Sequence, residues 1–170
     1  SRSGGAMRVA GFVKVRNEVL RDGNLYRLLA QLELLCDCGV ICDDASSDGT
    51  RDIAKAWADK QGWLFLETDQ ADFSQEMRVK QEMLRALHEA FAAPAARAFA
   101  PDWILWMDGD ELFEADALPQ PDDVRHCTTP RRGEFRAWLQ DAGKEADVWA
   151  FHYTQLWRGL EWARTDDGFD

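Results

Sequence analysis

A chain of 170 residues is long enough for one domain with a real core and short for two. Its hydrophobic content of 46%, with 8 Trp and 9 Phe, excludes a disordered tail or linker. A net charge of -11, from 20 Lys and Arg against 31 Asp and Glu, argues against nucleic-acid backbones and anionic membranes as primary partners.

Residues 1–6 read as a cloning remnant ahead of a native Met7. Met7 to Val15 is apolar and β-rich, which predicts a first strand, with Arg16-Asn17-Glu18 as its terminal loop. Leu25, Leu28, Leu29 and Leu32 recur at helical spacing, so Asn24 to Leu35 reads as a helix packed on a sheet. Gly39-Val40-Ile41-Cys42 makes a second buried strand, and it ends in acid: Asp43-Asp44-Ala45-Ser46-Ser47-Asp48-Gly49-Thr50. Ser47 or Asp48 is placed to cap the next helix, which would turn Ile53 and Trp57 to the sheet and stop at Gly62. Trp63-Leu64-Phe65-Leu66 is the third strand.

Ser74 is the expected cap of a long helix reaching about Phe91, with Met77, Leu84, Leu87 and Phe91 near one face. On it Arg78 lies one turn in, and Lys80 points elsewhere. An Ala-rich loop from Pro94 to Pro101 leads into Trp103-Ile104-Leu105-Trp106-Met107, an apolar run closed by Asp108-Gly109-Asp110-Glu111. Pro119, Pro121 and Pro130 punctuate a connector, Glu134 to Ala142 reads as helix, and Val148 to Tyr153 as a further strand. Strands alternating with helices predict βαβ units, hence an α/β fold with a mainly parallel central sheet flanked by helices.

No apolar run approaches the roughly 20 residues of a membrane span. Of the four cysteines (Cys36, Cys38, Cys42, Cys127), Cys36 and Cys38 stand too close along an extended segment to bridge easily, and zinc ligation with His126 as a fourth partner is the lesser reading, since Cys-x-Cys-x₃-Cys is not a usual zinc-knuckle spacing. Reduced thiols in a cytoplasmic protein are the simpler reading.

The chemistry concentrates in the two acidic turns. In a parallel sheet both would lie at the carboxyl edge of the strands, where α/β folds bind ligands. Asp108 and Asp110 flank a glycine, which permits a tight turn and close approach of a ligand. Carboxylates so close repel unless a cation or proton lies between them, and a hard divalent ion such as Mg²⁺ or Mn²⁺ suits oxygen donors. An EF-hand reading of Asp44-x-Ser46-x-Asp48-Gly49 fails, because Lys55 stands where the bidentate Glu is required. The dinucleotide glycine fingerprint, the Walker lysine loop and the nucleophile elbow are all missing from the sequence.

Arg16-Asn17-Glu18, the stretch from Asp43 to Thr50, Phe73-Ser74 with Arg78, and Trp106-Met107-Asp108-Gly109-Asp110-Glu111 resemble family 2 glycosyltransferases of the GT-A fold. The likeness runs from about Met7 to Ala117 and implies one GT-A domain over residues 7–170, of the nucleotide-diphospho-sugar transferase kind. It implies a metal-dependent inverting transfer of sugar from a nucleotide-diphosphate donor, with UDP-sugar favoured, to an acceptor hydroxyl on a glycan, lipid-linked sugar or protein. Asp44 would meet the base with Asp43 beside it, and Arg16, Asn17 and Glu18 would line the same pocket. Asp110 would hold Mn²⁺ or Mg²⁺, Asp108 would serve metal or ribose, and Arg78 would face phosphate. The general base usually follows at a distance, and Asp167, beside Asp166, is the late candidate. A tail ending on Phe169-Asp170 is expected to lack some acceptor-side sequence. Trp149, Trp157 and Trp162 would stack on an acceptor sugar or pack internally. The expected place is the cytoplasm, with the inner face of the membrane as the alternative. Rival readings are a nucleotidyltransferase and a non-catalytic nucleotide-sugar-binding domain.

Overall fold

Every residue of Val9–Val15 except Lys14 is buried, the mark of a strand covered on both faces. This strand, β1, pairs in parallel with β2 (Cys38–Asp44) and β4 (Trp103–Asp108), and β2 pairs in parallel with β3 (Leu64–Thr68). The order is β3-β2-β1-β4. The computed structural model describes residues 7–20, 24–112, 132–142 and 145–148. Helices α1 (Asn24–Leu35) and α2 (Thr50–Gln61) connect β1, β2 and β3 in turn. α3 (Glu76–Ala90) and the short α4 (Pro94–Arg97) return the chain to β4. The expected α/β class and parallel sheet flanked by helices are therefore observed.

Two different chemistries cover the two sheet faces. Gly11 and Gly39 are partners across β1 and β2, and the Trp63 indole lies over both with Leu32 of α1 beside Gly11. A Cβ on either glycine would overlap the ring, so the pair exists to admit Trp63. Trp57 of α2 meets that ring edge-on at 4.9 Å. In α1, Leu25, Leu28 and Leu32 are fully buried. Each such burial contributes about 2 kcal/mol, so packing and not propensity holds this helix.

On the other face Ala10, Phe12, Val40 and Cys42 form a cluster with Val79, Met83 and Leu87 of α3. The expected inward face of α3 is corrected here: Leu87 is buried, but Met77 and Leu84 are exposed, and Val79 and Met83 take their place. Nor does Ser74 cap it. A 3₁₀ turn at Phe73–Gln75 precedes the helix, and Asp72 Oδ1 accepts the Ser74 N–H at 2.8 Å. In α2 the buried positions are Thr50, Ala54 and Ala58, with Ile53 and Trp57 half-buried beside them. Alanine lets the helix axis approach the sheet where larger side chains would hold it off.

The chain divides into two compact units, residues 1–112 and 113–170. The sheet belongs to the first. In the second, α5 (Arg132–Ala142) begins two residues before the expected Glu134 and buries Phe135 and Leu139, one turn apart. The expected strand from Val148 to Tyr153, the proline connector, His126, Cys127, Asp166, Asp167, Trp149, Trp157 and Trp162 lie outside the described residues, Val148 excepted. Among the described residues no helix is long and apolar enough to cross a membrane.

Candidate functional site

Parallel pairing puts every strand's carboxyl end on one edge. In register, Lys14 of β1 lies beside Asp108 of β4 on one side and Cys42 of β2 on the other, and Asp44 is the next residue on that face of β2. Asp44 also pairs with Thr68, the last residue of β3. Both acidic motifs thus reach the same edge, as the sequence predicts.

The loop after β1 and the loop after β2 are locked together by hydrogen bonds that explain their polar residues. Asn17 donates its backbone N–H to Ser46 Oγ at 3.0 Å, and Asn17 Oδ1 accepts the Ser47 N–H at 2.9 Å. Thr50 Oγ1 accepts the N–H of Glu18 at 2.8 Å and of Val19 at 3.1 Å. Asp48 accepts the N–H of Leu20 through Oδ2 and that of Thr50 through Oδ1, both at 2.9 Å. Gly49 occupies the N-cap of α2, so neither Ser47 nor Asp48 is the cap residue, although Asp48 Oδ1, one residue upstream, accepts the Thr50 N–H. Burial works against the Asp48 charge, but bonds from the Thr50 hydroxyl and the Thr50 and Leu20 amides outweigh it and hold the carboxyl below its ordinary range. The αL residues Asn17 (φ 54°) and Ala45 (φ 53°) sit in these two loops, so backbone strain is stored at this edge.

The acidic residues divide by role. Asp43 is fully buried; its Oδ1 accepts the Ser46 N–H at 2.9 Å, and its buried Oδ2 has no hydrogen-bond partner. Asp44 keeps 7% exposure, with Oδ1 accepting the Thr68 hydroxyl at 2.9 Å and Oδ2 facing Lys14 Nζ at 3.3 Å. Glu18 is 3% exposed and packs against Gly109, where a Cβ would come 3.1 Å from Glu18 Cγ and 3.0 Å from Lys14 O. A side chain at Gly109 would press on the β1 backbone. In the β4 turn, Glu111 Oε2 accepts the Asp108 N–H at 2.8 Å and Asp110 is exposed.

Between the two motifs runs a chain of alternating charge that the sequence pattern alone does not reveal. Lys14 Nζ, already against Asp44, lies 4.0 Å from Glu76 Oε1 of α3. Glu76 Oε1 takes Lys80 Nζ at 2.6 Å, and Lys80 Nζ stands 3.6 Å from Asp108 Oδ1. Both lysine side chains are mostly buried, at 14% and 13% exposure. Burial opposes the Lys80 charge, yet Glu76 and Asp108 more than offset it and raise its pKa. The bond from Lys80 in turn draws the Glu76 carboxyl below its ordinary value. The expectation that Lys80 points elsewhere is corrected: it faces the site because Val79 and Met83 set the inward stripe. Arg78, about 200° round the helix at 3.6 residues per turn, is exposed and pairs with Glu82 at 3.6 Å. Arg16 is exposed at the end of β1. A signal for Lys14 was available, since it is the one charged residue inside an otherwise apolar strand.

For a divalent ion, no group of three or more His, Cys, Asp or Glu converges among the described residues. That disfavours an all-protein cage. An ion held by one or two carboxylates would complete its shell with water and substrate phosphate, the usual manner of Mg²⁺. The buried Asp108 Oδ1, which makes no hydrogen bond, is an acceptor suited to that use.

No family model matches the chain, and no curated protein matches it. Among solved structures it is similar to two of TarS from S. aureus, each at 19% identity over 61% of this chain. The TM-scores are 0.42 and 0.40. The chain spans 17% of the longer TarS chain and 28% of the shorter, residues 1–349.

Cys38 and Cys42 lie on one strand, and burial raises both thiols, Cys42 to about 12. Neither is a nucleophile at neutral pH.

Proposed function

We propose that this edge is the donor site of a metal-dependent, inverting glycosyltransferase of the GT-A kind, taking a nucleotide-diphosphate sugar. The observation that carries the reading is the placement of Asp44 and Asp108, from separate motifs, on one sheet edge with cationic side chains between them. Asp44, buried and fixed by Thr68 and Lys14, has lone pairs left for a ring N–H, which uracil offers on its pairing edge. Asp43 and Glu18 support that end, Asn17 braces its loop, and the diphosphate lies toward Asp108 and Asp110. Asp110 and Asp108 would hold Mn²⁺ or Mg²⁺ together with phosphate oxygens. Such an ion, when bound, neutralises charge that grows on the leaving diphosphate as the sugar bond breaks. Inversion requires the acceptor hydroxyl to attack the far face of the sugar with help from a carboxylate base, a role we assign to Asp167.

Calorimetry of uridine, cytidine and guanosine diphosphates with Mn²⁺ tests the donor reading. The expected result is tightest binding of the uridine form, weakened by Asp44→Asn. Absence of binding by all three would overturn it. Binding without transfer to any sugar, lipid or protein acceptor would favour a non-catalytic nucleotide-sugar-binding domain.

A further inference from the structure

The sequence motifs assign Arg78 to the phosphate, yet the side-chain cation that stands at Asp108 is Lys80. Its ammonium is held by Glu76 at 2.6 Å and lies 4.9 Å from the centroid of the Trp106 ring, which fixes it by a cation–π contact. Trp106 in turn rests on Phe12 at 5.1 Å. The remaining partner, Asp108 Oδ1 at 3.6 Å, is beyond hydrogen-bond distance. An ammonium has three N–H donors, so exchanging this long contact for a phosphate oxygen forfeits little. Lys14 is differently committed, since Asp44 holds it at 3.3 Å toward the base end. Arg78 faces away.

We propose that Lys80 binds the diphosphate of the donor and sets the preference for nucleoside diphosphates over bare nucleosides. The proposal rests on the donor-site reading above. As phosphate takes Lys80, Asp108 is released from the ion pair and its carboxylate becomes available to a divalent ion. When a divalent ion is present it replaces the cation that leaves Asp108. Lys80 therefore supports diphosphate binding with or without metal, and metal adds to it.

Titrations of uridine diphosphate, guanosine diphosphate and the two nucleosides into the parent chain, Lys80→Met and Lys80→Arg, each with Mn²⁺ and with EDTA, test this. Lys80→Met should weaken the preferred diphosphate about tenfold to a hundredfold, as expected for a lost charged hydrogen bond. The nucleoside should bind unchanged, and Lys80→Arg should recover most of the loss. Equal weakening of diphosphate and nucleoside would make Lys80 a structural residue and overturn the proposal. Unchanged diphosphate binding by Lys80→Met would overturn it while leaving the donor reading intact. A parent chain that binds none of the four would overturn both.

Discussion

Thr50 Oγ1, in the first turn of α2, accepts the backbone N–H of Glu18 at 2.8 Å across two loops far apart in sequence. With Val19 N–H at 3.1 Å on the same oxygen, one fully buried hydroxyl satisfies two donors of the loop after β1. Thr50→Val keeps the shape and leaves both donors unmet. Each costs about 1–3 kcal/mol, so the variant should lose about 2–6 kcal/mol in urea unfolding. A loss under about 0.5 kcal/mol would mean that water satisfies these amides and that the two loops are not locked as described.

Ala45 stands at φ 53° directly after Asp44, where a Cβ is unfavourable. Ala45→Gly removes that strain of about 1–2 kcal/mol but adds freedom to the unfolded chain worth about 0.5–1 kcal/mol. Net stabilisation of about 0.5–1 kcal/mol is expected from chemical denaturation. Destabilisation would show that the methyl group makes contacts worth more than the strain.

The sheet and its acidic edge were legible because apolar runs ending in Asp and Gly have few alternatives. The inward face of α3 was not, and the reason is geometrical. Met77 and Leu84 lie on one apolar stripe of this helix and Val79, Met83 and Leu87 on another, both at helical spacing. Only the partner surface decides between them. Alanine and cysteine on β1 and β2, beside Phe12 and Val40, accept the Val79 stripe, and Lys80 turns inward with it. A wrong choice of stripe exchanges Arg78 for Lys80 at the site. Lys14 was overlooked for another reason: a lysine inside a buried strand makes sense only once Asp44, on the neighbouring strand, is known to lie beside it.

Asp48 gives the structure a defined acid response. Its folded carboxyl lies below the ordinary value of 3.8, so its contribution is present above that pH and is lost as pH falls through the folded value. Asp48→Asn should therefore lower the urea midpoint at pH 7, and the gap from the parent should narrow below about pH 4. A gap that stays constant down to about pH 2.5, well under the usual Asp range, would show that the charge of Asp48 contributes nothing beyond its shape.

Asp110 closes the turn after β4 and is exposed, whereas Asp108 is tied to Glu111 through its amide and to Lys80 through its side chain. The two carboxylates should therefore respond differently to substitution. Asp110→Asn keeps the shape while removing a charge that would hold a divalent ion beside the diphosphate. In Mn²⁺ the variant should bind nucleoside diphosphate more weakly by about 1–3 kcal/mol, the worth of a charged contact. In EDTA parent and variant should bind alike, or the variant slightly better, because one repulsion of the phosphates is gone. Folding should be unharmed, since an exposed turn position carries little packing. If the variant unfolds, or shows the same gain from Mn²⁺ as the parent, Asp110 is a turn residue only and the metal assignment to this loop is wrong.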